Sequence, residues 1–322
     1  MRKNAQFFKS LVLGVLSVLS LSAAQAQSLT IVLSIPPLAA MAEPLLDEED
    51  RVVVLLQPGA SPHGFQLRPS HMRQIQQADL VAHVGTGVDA WLNRALSRYS
   101  GTQLSMLALP DTLLLDKRSG GVWSSDHHQG HAHGHAHGHR HGHGAVEQRN
   151  LDGHLWLGLD NARVFIAALS EALQAQAPDR AAEFAARERD WLDTLAEREV
   201  EWQQALEPYQ SRGFIVMHDA YQYFERQFGL QAAGTIHVNP ELPPSAQRVQ
   251  ALRRQVEQAQ VDCVFKEPQF PAERLNHVVR GLSVKVGQLD PLGFDGQVRR
   301  YDVFYDRLVQ DFIACFTQEP QD

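Results

Sequence analysis

"GFIVMHDAYQYFERQFG", residues 213 to 229, sets a short apolar run directly before His218 and an aromatic helical pattern directly after it. An apolar run of this length, bounded by Gly213 and by the polar pair His218-Asp219, reads as a strand buried on both faces. Strand, polar turn and helix together make one βα unit. The same rhythm continues downstream in "SAQRVQALRRQVEQAQ", "VDCVFKE", "PAERLNHVVRGL", "SVKVGQL" and "DVFYDRLVQDFIACF". Upstream it runs through "LTIVLSI", "LAAMAEPLL", "RVVVLLQ", "HMRQIQQA", "DLVAHVG" and "DAWLNRALSRY". Alternation of this kind predicts an α/β fold of two similar lobes, each with a mostly parallel sheet. A length of 322 residues also exceeds what one core ordinarily serves.

Between the two series lies "PDRAAEFAARERDWLDTLAEREVEWQQALEP". Phe184, Trp191, Leu195, Trp202 and Leu206 form a single stripe along it, predicting one long helix opened by Pro178 and stopped before Pro208. The expected organisation is an N-terminal lobe at 27–176, a bridging helix at 177–208 and a C-terminal lobe at 209–322. The alternative is a helix that packs on one lobe only.

Residues 1–26 read as a secretory signal peptide: Arg2, Lys3 and Lys9 precede the apolar run from Leu11 to Leu21, and Ala24-Gln25-Ala26 has the form of a cleavage site. The run is too short to span a bilayer, which takes about 20 apolar residues. Removing those three cations takes the formal charge from −8 to −11, which argues against a nucleic-acid partner and tolerates cations. The expected address is the periplasm, after cleavage near Ala26. In an oxidising compartment the only two cysteines, Cys263 and Cys315, are read as a disulfide by default, with two separate thiols as the alternative.

Sixteen histidines are distributed unevenly. His127, His128, His131, His133, His135, His137, His139, His141 and His143 fall in "DHHQGHAHGHAHGHRHGHG", residues 126–144, a loop without apolar content that is expected to be disordered and to capture metal weakly. A solvated spacer is the bland alternative. Four others, His71, His83, His237 and His277, read as structural.

His63, His154 and His218 stand apart. Each lies just past a strand-like or turn segment, in "GASPHGFQLRPS", "LDGHLWLGLDNA" and "VMHDAY", and Asp290 in "LDPLG" does the same. Ligands of open α/β sheets bind outside the carboxyl ends of the strands, so the four are expected to project into a crevice between the lobes. Three imidazoles and one carboxylate suit Zn²⁺ better than the all-oxygen shells of Ca²⁺ or Mg²⁺.

These motifs, with "VNPELPPSAQRV", "DCVFKEPQF" and the final "ACF", make the chain resemble the zinc-specific periplasmic solute-binding proteins of ABC transporters, the ZnuA type of the metal-binding cluster. The resemblance covers nearly the whole mature chain. It implies two α/β lobes bridged by a rigid helix, with the metal between them. By position it implies zinc ligation by His63, His154 and His218, an acidic fourth ligand at Asp290, a Cys263–Cys315 disulfide and a zinc-binding role for the His-rich loop. Implied partners are a membrane permease with its cytoplasmic ATPase and a periplasmic zinc chaperone, with the receptor itself a monomer and not an enzyme.

The chain departs from the family pattern at three places. Pro62 stands where some relatives carry a metal-binding Glu, and Gly153 replaces the usual Pro before the second histidine. Manganese and iron relatives carry Glu where this chain has His218, and imidazole in that place favours the borderline metal zinc. A manganese or iron receptor is therefore the first rival, and an adhesin or metal buffer without a transporter is another. A zinc hydrolase would need a general base beside the metal. Glu267 in "FKEPQF" is the carboxylate available for that, and an outer-shell or interface role is the stronger expectation for it.

Overall fold

The computed structural model describes residues 28–85, 87–120, 123, 150–237, 242, 244–258, 260–294 and 299–318. The signal segment and the nine histidines from His127 to His143 lie outside the described residues. Among the described residues, no helix is long and apolar enough to cross a membrane.

Two four-stranded parallel sheets form the lobes. The first contains β1 (Thr30–Leu33), β2 (Arg51–Val54), β3 (Leu80–His83) and β4 (Thr102–Ser105), in the order β2-β1-β3-β4. The second contains β5 (Gly213–His218), β6 (Gly234–His237), β7 (Val261–Lys266) and β8 (Lys285–Gln288), in the order β6-β5-β7-β8. The two orders are the same pattern. In each sheet the first strand is flanked by the second on one side and the third on the other, so the chain reverses direction across the sheet between first and third strands. A crevice opens at that place, outside the carboxyl ends of the strands.

The helices are α1 (Pro36–Ala42), α2 (Pro69–Gln76), α3 (Asn93–Leu96), α4 (Leu159–Gln176), α5 (Ala181–Leu206), α6 (Gln222–Phe228), α7 (Ala246–Gln258), α8 (Glu273–Val279) and α9 (Tyr301–Thr317). Gly229 ends α6 in the left-handed conformation, φ 67°, which a side chain adopts only with strain.

Strand parity decides what faces the crevice. Side chains alternate across a sheet, and in β5 Ile215 and Met217 enter an outer core under α7 and α8, whereas Phe214 and Val216 enter a central core shared by both lobes. His218 has the parity of Phe214 and Val216, so it continues the inner face. The same holds in β7, where Cys263 and Phe265 are central and Val264 is outer; Glu267, one residue past the strand, falls on the inner side. In β1, Ile31 and Leu33 are central, as is Leu29 just before it, and Val32 belongs to the outer core of the first lobe.

The central core is continuous from one lobe to the other through α4, α5 and α9. The long helix α5 has 26 residues and spans about 39 Å at 1.5 Å per residue. A single 3₁₀ turn precedes it at Pro178–Arg180 and another follows at Glu207–Tyr209. The segment expected as one uninterrupted helix thus tightens at both proline-containing ends. It does not pack on one lobe alone. Trp191 donates its indole N–H to the Met41 carbonyl of the first lobe at 3.2 Å, and Trp202, three turns on, donates to Asp306 of α9 at 2.6 Å.

Further bonds cross between the lobes. The Trp156 indole reaches the Pro291 carbonyl at 2.7 Å, and the hydroxyls of Tyr301 and Tyr305 reach the Trp156 and Leu157 carbonyls at 2.5 and 2.7 Å. Arg118 pairs with both Asp219 and Glu225. Cys263 of β7 and Cys315 of α9 form a disulfide, with Cα atoms 6.1 Å apart. Gly287 of the neighbouring strand leaves room for it, since a Cβ there would come within 2.8 Å of Cys315 Cβ.

Candidate metal centre

His63, His154 and His218 converge. One ligating nitrogen from each can be chosen so that all three lie within 4.8 Å of one another. Ring centroids are 5.5 Å apart for His63–His154, 5.5 Å for His63–His218 and 5.2 Å for His154–His218. They arrive by different routes. His218 ends β5, His154 follows the Asp152-Gly153 turn into the start of α4, and His63 sits in a one-turn 3₁₀ helix, Pro62–Gly64, after β2. Ser61 Oγ accepts the His63 backbone N–H at 3.3 Å, and the Trp91 indole fixes the same turn through the Pro62 carbonyl at 3.0 Å.

Two of the rings are oriented by carboxylates. His154 Nδ1 lies 2.7 Å from Asp152 Oδ1, and His218 Nδ1 lies 2.7 Å from Glu267 Oε1. An ionised carboxylate only accepts, so each Nδ1 carries the proton and each Nε2 presents a lone pair. Those two Nε2 atoms face each other at 3.3 Å. Two lone pairs at that distance repel unless a proton or a cation lies between them. The spacing matches the edge of a tetrahedron of nitrogens about 2.0–2.1 Å from a central Zn²⁺, which is about 3.3 Å. His63 Nε2 is buried with no hydrogen-bond partner among the described residues, so its nitrogen is available to a cation.

Electrostatics separate the three rings. Burial, followed by the neighbouring imidazoles, holds His63 well below its ordinary 6.5, so it is neutral at neutral pH. Burial also pulls His218 down, but the charge and hydrogen bond of Glu267 outweigh it and keep His218 above 6.5. Around the nitrogens the walls are mostly apolar: Trp156 stands edge-on to His154 at 5.3 Å and Phe270 edge-on to His218 at 5.6 Å. The cavity among Ser61, the three histidines, Gln269 and Phe270 has room for about one water molecule.

Asp290 does not join this set. It was expected as the fourth corner, but its carboxylate accepts from Leu292 N at 3.0 Å, Phe294 N at 2.5 Å and Gln269 Nε2 at 2.8 Å. Strand β8 ends at Gln288 and Leu289 takes the inner face. Asp290 therefore falls in the turn, where its short acidic side chain folds the backbone around Pro291 as turn aspartates do.

Asp152 was not anticipated. Its signal was local: an Asp two residues before a His can cap the later backbone N–H, and His154 N does donate to Asp152 Oδ1 at 3.1 Å. The structural reading of the other histidines fits their surroundings. His71 Nδ1 accepts from Arg68 N at 3.1 Å, His83 is buried near Asp89, His237 donates to the Leu242 carbonyl at 2.7 Å, and His277 is exposed on α8.

A family model for the zinc-uptake complex component A, periplasmic, ZnuA, matches residues 31–315. The chain belongs to the ZnuA family. The high-affinity zinc uptake system protein ZnuA of Yersinia pestis is 35% identical over 292 residues, covering 89% of this chain and 91% of that protein. Its counterpart in Haemophilus ducreyi is 33% identical over 314 residues, covering 97% and 100%. A crystal structure of ZnuA superimposes with a TM-score of 0.73 at 22% identity, over 90% of this chain and all of that one. ZnuA-family membership agrees with the two-lobed architecture and its long bridging helix.

Outer-shell carboxylates raise ligand basicity and fix ring orientation. Replacing Glu267 by Gln or Asp152 by Asn is expected to weaken metal binding by about 10–100-fold each while the fold persists. Chelator competition on the two variants checks this, with unchanged affinity as the opposing result.

Proposed function

We propose that this chain is the periplasmic receptor of a zinc uptake system, holding Zn²⁺ through His63, His154 and His218 and passing it to a membrane permease driven by an ATPase. The observation that carries the reading is the convergence of three imidazoles, two of whose Nε2 atoms lie 3.3 Å apart with carboxylates behind them. An all-imidazole set prefers a borderline metal over hard Mn²⁺. Asp152 and Glu267 place two negative charges one shell out, where they balance a divalent ion without hardening its ligands. Glu267 turns Oε1 to His218 Nδ1, the outer-shell role expected for it over that of a general base. A 26-residue helix pinned to both lobes and a core continuous between them favour small movements at release. The lobes are taken as 27–176 and 209–322, joined by the helix at 177–208, and α9 packs against α1 and α5 as well as its own sheet.

The test is a competition titration of the mature chain lacking residues 126–144, with Zn²⁺ and Mn²⁺ against a chelator. One tight zinc site and weaker manganese binding are expected. Deleting the His-rich segment should lower total zinc capacity and leave that site intact; tight binding lost with the segment would move the site into it. Equal or tighter Mn²⁺ binding would favour the manganese receptor.

Acidity should act through His218. His63 is already neutral above pH 6.5 and offers no competition there, whereas His218, held above 6.5, must lose a proton to bind metal. Apparent zinc affinity is thus expected to begin falling before pH has dropped to 6.5, as protons compete with the metal for His218. Calorimetry in buffers of different ionisation enthalpy counts the protons. Glu267→Gln should move the onset to lower pH, and an onset unmoved by it would contradict the assignment.

A further inference from the structure

Gln269 lines the same cavity as the three histidines, and its two ends are in different situations. The amide nitrogen donates to Asp290 Oδ1 at 2.8 Å, while the amide oxygen is buried with no hydrogen-bond partner among the described residues. The orientation is not arbitrary. A carboxylate accepts only, so the amide must turn its NH₂ toward Asp290 and keep its carbonyl for something else. Leu292 N and Phe294 N meanwhile donate to the Asp290 carboxylate and hold it in its turn. The result is a rigid arm: turn backbone to Asp290, Asp290 to Gln269, and an unsatisfied carbonyl at the end.

A buried carbonyl oxygen of this kind calls for a donor. The cavity that Gln269 lines holds about one water-sized body beyond the imidazoles. A water bound to Zn²⁺ is an unusually strong hydrogen-bond donor, since the ion lowers its pKa toward 7. We propose that Gln269 accepts a hydrogen bond from the water that completes the metal shell, and that Asp290 is the positioning residue that orients Gln269 rather than a ligand. The inference rests on the three-histidine reading above. Its consequence is an exchangeable fourth corner: three imidazoles and a water around the ion, with Asp152 and Glu267 behind the rings of His154 and His218. Such a shell disfavours Mn²⁺, which prefers carboxylate.

A double-substitution cycle tests it, using chelator competition for zinc, the visible spectrum of the Co²⁺-loaded protein, and apo melting to confirm folding. Gln269→Leu is expected to weaken zinc about tenfold, the scale of one hydrogen bond to a charged group. Asp290→Asn should cost no more, retain the wild-type Co²⁺ bands, and add nothing to Gln269→Leu, because both break one arm. Gln269→Glu paired with Asp290→Asn, whose amide can still donate to residue 269, should narrow the preference for zinc over manganese about tenfold by placing a carboxylate at the corner. Asp290→Asn costing more than about 100-fold with altered Co²⁺ bands, beside a silent Gln269→Leu, would make Asp290 a ligand and overturn the proposal. A silent Gln269→Leu, or costs that simply add, would overturn it as well. Zinc binding indifferent to His218→Ala would instead condemn the three-histidine site on which it stands.

Discussion

His218→Ala is expected to abolish tight zinc binding, with a loss exceeding the roughly 10–100-fold of an outer-shell substitution. The reason is geometric as well as numerical. Of the three histidines, His218 is the one contributed by the second lobe, from the inner face of β5 where Phe214 and Val216 have the same parity. Its Nε2 is also the atom that faces His154 Nε2 at 3.3 Å. Without it two imidazoles remain, both from the first lobe, and the Glu267 carboxylate is left buried with its imidazole partner gone. A buried charge stripped of its partner is itself costly, so apo stability should fall too. The check is chelator competition on the variant lacking residues 126–144, beside a thermal melt. Zinc affinity within a few-fold of the parent would contradict the placement of His218 in the shell.

Removing the disulfide should have the largest effect on stability away from the metal. Cys263 and Cys315 are 52 residues apart, and both are fully buried, joining β7 to α9. Closing a loop of that length in the unfolded chain corresponds to about 4 kcal/mol in the chain-entropy account, with measured values commonly about 2–4. The link also serves the site. Strand β7 leads directly to Glu267, and α9 carries Tyr301 and Tyr305 to the carbonyls beside His154. A Cys263→Ser/Cys315→Ser double variant should unfold at lower denaturant with a similar slope, and saturating zinc should recover part of the loss through linkage. An unchanged midpoint would show that the central aromatic core holds α9 without help.

Much of the fold could be read from the sequence because parallel sheets write themselves as short, continuous apolar runs separated by helical patterns. "GFIVMHD" and "DLVAHVG" became β5 and β3, and the stripe of Phe184, Trp191, Leu195, Trp202 and Leu206 became the buried side of α5. Position just past such runs, with the family motifs, marked the three histidines. Asp290 shows where that rule weakens. It too follows a strand, but a turn aspartate can spend its oxygens on nearby N–H groups, and the choice depends on backbone geometry that residue type does not encode. Glu267 depended on strand order: it meets His218 because β7 lies beside β5, a pairing between residues 49 apart. Asp152 was accessible in principle through its spacing to His154, whereas Gln269 acquires meaning only once Asp290 and the cavity are in place.

The most direct measurement is an anomalous difference map at the zinc edge, from crystals of the chain lacking residues 126–144 loaded with one equivalent of zinc. A single strong peak is expected between the lobes, about 2.0–2.1 Å from the Nε2 atoms of His63, His154 and His218. A principal peak elsewhere, or one that leaves any of the three imidazoles unbound, would contradict the three-histidine site.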